Sequence, residues 1–133
     1  VLTKEQRRKN MQAIKSSNTR EEVLLAKALW QRGHRYRKND KTVYGRPDLT
    51  FKKHKVAIFV DSEYFHGKDW EKQKFRIKTN RDFWWEKIEK NIQRDCSVNT
   101  RLLDDNWKVL RFWSNDIRRN LAGCIKVIEE TLR

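Results

Sequence analysis

Apolar side chains along this chain recur at three- and four-residue steps in some stretches and run in short alternating or continuous blocks in others, and these changes of period mark out its elements. Thr3 followed by Gln6 has the spacing of a capping box and opens a polar, basic helix to Lys15, in which Met11 and Ile14 are the sizeable apolar groups. Thr19-Arg-Glu-Glu22 repeats the capping signal. Val23, Leu24, Leu25, Ala28 and Leu29 then supply a broad stripe that stops at Gly33 and predicts a second helix. A short, broken stretch follows from Arg35 to Tyr44. Asp48-Leu-Thr-Phe51 and Lys55-Val-Ala-Ile-Phe-Val-Asp61 read as two strands joined by a tight turn at Lys52-Lys53-His54, the second apolar enough to lie centrally in a sheet. Gly67 to Asn80 is rich in basic side chains and poor in aliphatics, as expected of a charged loop.

From Arg81 to Leu103, Trp85, Ile88, Ile92, Cys96, Asn99 and Leu103 keep a helical period and predict one long amphipathic helix. Trp107-Lys-Val-Leu-Arg-Phe-Trp113 suits a strand, and Ile117, Leu121, Cys124, Ile128 and Leu132 mark a last helix. The predicted order is α-α-β-β-β-α-β-α. With no internal repeat and no Pro/Gly linker, this is the pattern of a single α/β domain over residues 1–133, with helices flanking a mixed central sheet.

Charge narrows the function. In 133 residues, 32 Lys and Arg stand against 18 Asp and Glu, a net charge of +14, and the basic residues lie within patterned segments and not in a terminal tail. Self-repulsion on that scale favours a polyanionic partner, and nucleic acid fits best. No apolar run approaches the roughly 20 residues of a membrane span, and no signal-peptide pattern opens the chain, so a cytoplasmic, nucleoid-associated protein with no membrane partner is expected. Cys96 and Cys124 lack metal-binding spacing and are expected to be packing residues.

The chemistry-bearing residues cluster around the two central strands. Gly45-Arg-Pro-Asp48 precedes one strand, and the next ends in Asp61 with Glu63 and His66 just beyond. Pro47 fixes the backbone before Asp48 and gives no ladder donor, which suits the start of a strand. Metal-assisted phosphodiester hydrolysis needs hard oxygen ligands, retained waters and a base beside one of them, and Asp48, a strand-end carbonyl and His66 can provide these. Taken singly each signal is weak: Asp after Pro is commonly a turn residue and a lone His is commonly packed.

Taken together, Gly45-Arg-Pro-Asp48, Tyr64-Phe-His66, Phe83-Trp-Trp-Glu-Lys-Ile88, Lys90-Asn91 and Arg94-Asp95 resemble the very short patch repair (Vsr) endonucleases, bacterial nickases of the PD-(D/E)XK nuclease superfamily that act at T:G mismatches. Matching segments run from Arg7 to Trp113 and cover nearly the whole chain. The resemblance implies a restriction-endonuclease-like fold in which residues 1–18 form a DNA-contacting helix and residues 19–133 the catalytic core. It implies Mg²⁺, with Mn²⁺ as a substitute, held by Asp48, the backbone carbonyl of Val60 and, in this chain, Asp61. His66 matches the histidine that activates water, while Glu22 and Asp95 match acids that orient catalytic side chains or metal-bound water. Met11, Tyr64 and Phe65 match apolar wedges in the base stack, Trp84 matches another recognition aromatic, and Arg46, Lys9 and Asn10 complete the expected DNA contacts. Trp85, by helical spacing, is expected in the core.

The chain also departs from the best-known members. Asp61 stands where they carry a histidine and Glu63 where they carry a cysteine; both changes add carboxylate. If Asp61 and Asp95 approach each other without a cation, one proton is expected to be shared between them. The superfamily's usual lysine is absent, with Tyr64 or Phe65 in that region. The zinc-binding Cys and His positions hold Glu63, the Lys68–Trp70 stretch and Ser114-Asn115. No structural zinc is therefore expected, with Trp70 packing on Trp113 in its place. The expected partner is double-stranded, mismatched DNA, bound by a monomer acting with mismatch-repair proteins. The alternatives are a homing or restriction-type endonuclease on the same fold, a DNA-binding module without activity, and an RNA-binding protein, for which no RNP-type motif is present.

Overall fold

In the computed structural model, which describes residues 19–133, the apolar strand at Val56–Asp61 lies at the centre of the molecule. The helix expected over Thr3–Lys15 lies outside the described residues. Helix α1 spans Arg20–Gln31, strand β1 Arg37–Lys38, β2 Leu49–Phe51 and β3 Val56–Asp61. Helix α2 is a single turn at Trp70–Gln73, α3 runs from Arg81 to Asp104, β4 from Lys108 to Trp113, α4 from Ser114 to Arg119 and α5 from Leu121 to Leu132. The four strands form one mixed sheet in the order β1-β2-β3-β4, antiparallel except for the parallel β3–β4 pair. This is a mixed α/β arrangement with helices flanking a central sheet, as the sequence pattern predicts.

Strand β3 is apolar on both faces because helices cover both. Val56 and Ile58 point into a core with Leu25 and Leu29 of α1, Leu49 and Phe51 of β2, and Ile117, Ile125 and Ile128 of the C-terminal helices. Ala57 and Phe59 point the other way, towards Val43 and Val98 and Leu102 of α3. Each fully buried Leu or Ile contributes about 1.5–3 kcal/mol relative to exposure. The net effect is a rigid strand whose C-terminal end, at Val60 and Asp61, is held in place from both sides.

Two expectations about helices need correction. The last helix is two: Asn120 leaves helical geometry at φ −143° and ψ 59°, and its side chain accepts the Gly123 N–H at 3.1 Å to cap α5. On α3 the buried line follows Ile88, Val98 and Leu102, while Cys96 is exposed and Leu103 is 58% exposed. Half-buried Asn91, Asp95 and Asn99 fall on the inward side, so the helix turns polar residues inward and the apolar-only pattern drifts by one position. Of the two cysteines, Cys124 is a packing residue and Cys96 is not.

Segment 67–80 is also more ordered than a charged loop. Trp85 is half-buried and holds it: its indole N–H donates to the Lys74 carbonyl at 2.9 Å, and its ring meets Trp70 and Phe75 edge-on at 6.4 and 5.8 Å. Trp70 therefore packs on Trp85 and not on Trp113, whose ring instead receives Lys68 Nζ at 5.7 Å. Glu63 ties the β3 end to α4 by accepting the Asn115 N–H at 3.0 Å.

Candidate active site

The chain enters β2 through a turn that needs special backbone at two successive residues. Gly45 has φ +80°, and a Cβ there would collide with the Val98 side chain; Arg46 follows at φ +50°. Pro47 is buried behind them, and Asp48 comes next at the edge of the cleft. The β2–β3 ladder ends at Leu49 opposite Ile58, which leaves the Val60 N–H to another acceptor. Asp48 Oδ2 takes that N–H at 2.6 Å. Sequence order and strand pairing thus bring the Asp48 carboxylate to the backbone of Val60.

Glu22 reaches the same cleft from α1 through its capping box. Its Oε2 accepts from the Thr19 N–H at 3.1 Å and the Thr19 hydroxyl at 3.2 Å, while the Glu22 N–H returns a bond to Thr19 Oγ1 at 3.3 Å. The other oxygen, Oε1, is buried and finds no hydrogen-bond donor among the described residues. Burial, together with the negative charges of Glu22 and Asp61, pushes the Asp48 carboxyl up to about 8 against the opposing effect of the Val60 N–H.

A second group of residues closes the other half of the cleft. His66 Nδ1 lies 2.6 Å from Asp95 Oδ2 and 3.7 Å from Asp61 Oδ1. A carboxylate only accepts, so Nδ1 carries the proton and Nε2 is left with its lone pair. Burial lowers the His66 imidazole, but the Asp95 hydrogen bond and the charges of Asp61 and Asp95 outweigh burial and Arg111, and the net shift is upward. Gly67 at φ +67° lets the chain turn directly after His66; a Cβ there would collide with Ile92 of α3.

Asp61 and Asp95 are not left to share a proton. Arg111 Nη1 lies 3.1 Å from both Asp61 oxygens and 3.6 Å from Asp95 Oδ1, so a guanidinium stands between them. The condition for a shared proton, an approach of the two acids without a cation, is therefore not met, and burial pushes the Asp61 carboxyl up against the opposing charges of His66 and Arg111. Arg111 stands opposite Phe59 in the β3–β4 register, and the strand pattern alone assigns it no role. Asn91, which donates to the Phe65 carbonyl at 2.9 Å, and Asn99, which accepts from Arg111 Nε at 2.7 Å, are further site residues that the apolar pattern conceals.

Beside the cleft stands an aromatic ledge. Tyr64, Phe65 and Trp84 meet with ring centroids 5.2–6.0 Å apart, and Phe83 joins at 5.3 Å from Trp84. Tyr64 is 45% exposed and Phe83 53% exposed. Large rings left this open beside a polar cleft are suited to stacking on bases. Exposed Arg46, Lys87 and Arg94 line the cleft with them and supply positive charge for phosphates. Met11, Lys9 and Asn10 lie outside the described residues.

Of the expected site residues, Glu22, Arg46, Asp48, Val60, Asp61, Phe65, His66, Trp84 and Asp95 line one cleft of about 570 Å³, and Tyr64 packs on its aromatic wall. One ligand atom from each of Asp61, His66 and Asp95 falls within 4.8 Å of the others. The donors suit a hard divalent cation: carboxylates in excess, a backbone segment at the strand end, and a buried Glu22 oxygen with no hydrogen-bond donor among the described residues.

A mixed α/β fold with clustered acids and a carboxylate-bound histidine at a strand end, on a chain of charge +14, defines the class of a nuclease acting on DNA. A family model described as DNA mismatch endonuclease Vsr matches residues 1–72, and the chain belongs to this family. It is similar to the type II nicking enzyme V.NmeDIP of Neisseria meningitidis serogroup C, 54% identical over 99% of this chain and 89% of the relative. It is also similar to the type II nicking enzyme V.HpaIIP of Haemophilus parainfluenzae, 52% identical over 90% of this chain and 85% of the relative. The DNA mismatch endonuclease Vsr of Escherichia coli K12 is 35% identical over 99% of this chain and 81% of its own length. The protein is a DNA endonuclease.

Proposed function

We propose that the protein is a Mg²⁺-dependent endonuclease that nicks one strand beside a T:G mismatch in very short patch repair. The observation that carries this reading is the opening of two sets of groups onto one cleft: the carboxylates of Asp48 and Glu22, and a histidine whose tautomer Asp95 fixes. The names of the relatives, nicking enzymes and a mismatch endonuclease, support the strand and substrate assignment.

Asp48 and the Val60 carbonyl are the residues that would hold Mg²⁺, and Glu22 Oε1, buried with no hydrogen-bond donor among the described residues, would accept from water bound to it. A divalent ion bound there supplies charge neutralisation at the scissile phosphate. His66 Nε2 removes the proton from the attacking water while Asp95 stabilises the resulting imidazolium. Lys87 and Arg94 position the backbone, and the ledge of Tyr64, Phe65 and Trp84 enters the stack at the mispair, where unstacking costs least. Residues 1–18, with Lys9, Asn10 and Met11, add further DNA contacts. The enzyme acts as a monomer in the cytoplasm, at the nucleoid, with mismatch-repair proteins.

The test uses duplexes labelled on each strand, matched or carrying a single T:G mispair, with Mg²⁺ or Mn²⁺. Nicking of one strand only, and only with the mispair, is the expected result. Cutting of both strands of matched DNA would replace the reading with a restriction-type enzyme.

A further inference from the structure

The acidic trio of Asp61, His66 and Asp95 already has a cation, and the fold holds that cation by three separate means. Arg111 leaves β4 directly opposite Phe59 of β3. Its guanidinium lies 4.0 Å from the Phe59 ring centroid, its Nε donates to Asn99 Oδ1 at 2.7 Å, and its Nη1 is shared between Asp61 and Asp95. The side chain is 18% exposed, and a guanidinium does not give up its charge.

A divalent ion bridging Asp61 and Asp95 would need oxygens at roughly 2.0–2.6 Å. Nη1 already holds those oxygens at 3.1 and 3.6 Å, so the ion and the guanidinium cannot both be there. Asp48 and Glu22 have no such cation beside them among the described residues.

We propose that Arg111 is the resident cation of this half of the cleft. It stands in for a second divalent ion, so the protein binds a single ion, at Asp48 and the Val60 carbonyl. Asp61 is then a positioning residue that holds Arg111 beside His66, not a metal ligand. The inference rests on the metal reading of Asp48 above and withdraws Asp61 from the ligand set expected from sequence.

The test is Mn²⁺ binding to the metal-free full chain, followed by electron paramagnetic resonance and calorimetry. Wild type should bind one Mn²⁺. D61N should keep that affinity within about threefold, since binding to Asp48 does not use Asp61. R111M should gain a second ion and R111K, which keeps the charge, should not. Two ions in wild type, no gain in R111M, or a loss beyond tenfold in D61N would overturn the role of Arg111 while leaving Asp48 a ligand. Undiminished binding by D48N, or none by wild type, would instead sink the metal reading itself. If R111M does not fold, D61N carries the decision alone. Turnover separates charge from scaffolding: R111K should recover kcat over R111M at unchanged KM, and equal losses in both would argue against a role for the charge.

Discussion

The two halves of the cleft meet the same electrostatic problem in different ways. Asp61 and Asp95 are buried or half-buried acids that share Arg111 and lean on His66, so each has a cationic partner within the fold, against the burial that pushes the Asp61 carboxyl up. Asp48 and Glu22 are held by a backbone N–H and a threonine, and their charge is compensated by no side-chain cation among the described residues. A buried charge without a partner costs several kcal/mol, so this half calls for a proton or a metal ion from outside. On the proposed function this contrast divides the labour: His66 with Asp95 is the base, and Asp48 with Glu22 takes the cation.

The largest break in this comparison comes from Asp48→Ala. Removing the open half's principal carboxylate should lower the nicking rate by roughly 10³-fold or more while leaving DNA affinity within a few-fold, because phosphate contacts supply most of that affinity. Single-turnover cleavage with a gel-shift titration measures both, and nicking at the wild-type rate would remove Asp48 from the mechanism.

The finished half yields to a smaller change. Asp95→Asn keeps the shape but offers His66 an amide in place of a carboxylate, and a loss of about 10–100-fold in kcat/KM is expected. The pH profile should move as well. His66 lies above its usual value partly through Asp95, so the acidic limb of the profile should shift to lower pH in the variant. An unchanged limb with a reduced rate would make Asp95 a packing residue.

How much of this was legible in the sequence follows the same division. Asp48, His66, Glu22 and Asp95 could be picked out because the compact phrases that hold them, such as GRPD and Tyr64-Phe-His66, carry the resemblance to the family. The order of the major elements was legible because β3 and α1 have strong, simple periods. Arg111 was not, since its role arises from the pairing of β4 with β3, which lies more than fifty positions away along the chain and is fixed only by tertiary structure. The inward Asn91 and Asp95 of α3 fall off the predicted line for the same reason: a helix that lines a site buries polar groups, and periodicity scores chiefly apolar ones.

The open half also predicts a thermal signature. With Asp48 ordinarily at 3.8 and raised to about 8 in the folded chain, the unfolded state has lost its proton across that interval while the folded state keeps it. The contribution of Asp48 to the stability of the metal-free protein should therefore be fully present below pH 3.8 and be lost as pH rises to about 8. Mg²⁺ should restore several degrees of Tm at pH 8 and little at pH 5, and Asp48→Asn should flatten the slope and abolish the Mg²⁺ effect. Equal Mg²⁺ stabilisation at both pH values would mean that the ion binds elsewhere.

The smallest effect lies far from the cleft and has the opposite sign. Glu129 of α5 takes a bidentate pair from Arg32, at 2.7 and 2.8 Å, and lies 2.7 Å from His34 Nε2, tying the end of α1 to α5. The hydrogen bond from Arg32, then that of His34, hold its carboxyl down at about 2, below its ordinary 4.5. A depressed carboxylate contributes stability that is fully present above 4.5 and is lost as pH falls through about 2. Glu129→Gln should thus lower Tm slightly at neutral pH, less in high salt, and the gap from wild type should close between pH 4.5 and about 2. Because this pair is complete in itself, Mg²⁺ should leave the gap unchanged. A gap that responded to Mg²⁺ would show that compensated and uncompensated carboxylates are not energetically separate in this fold.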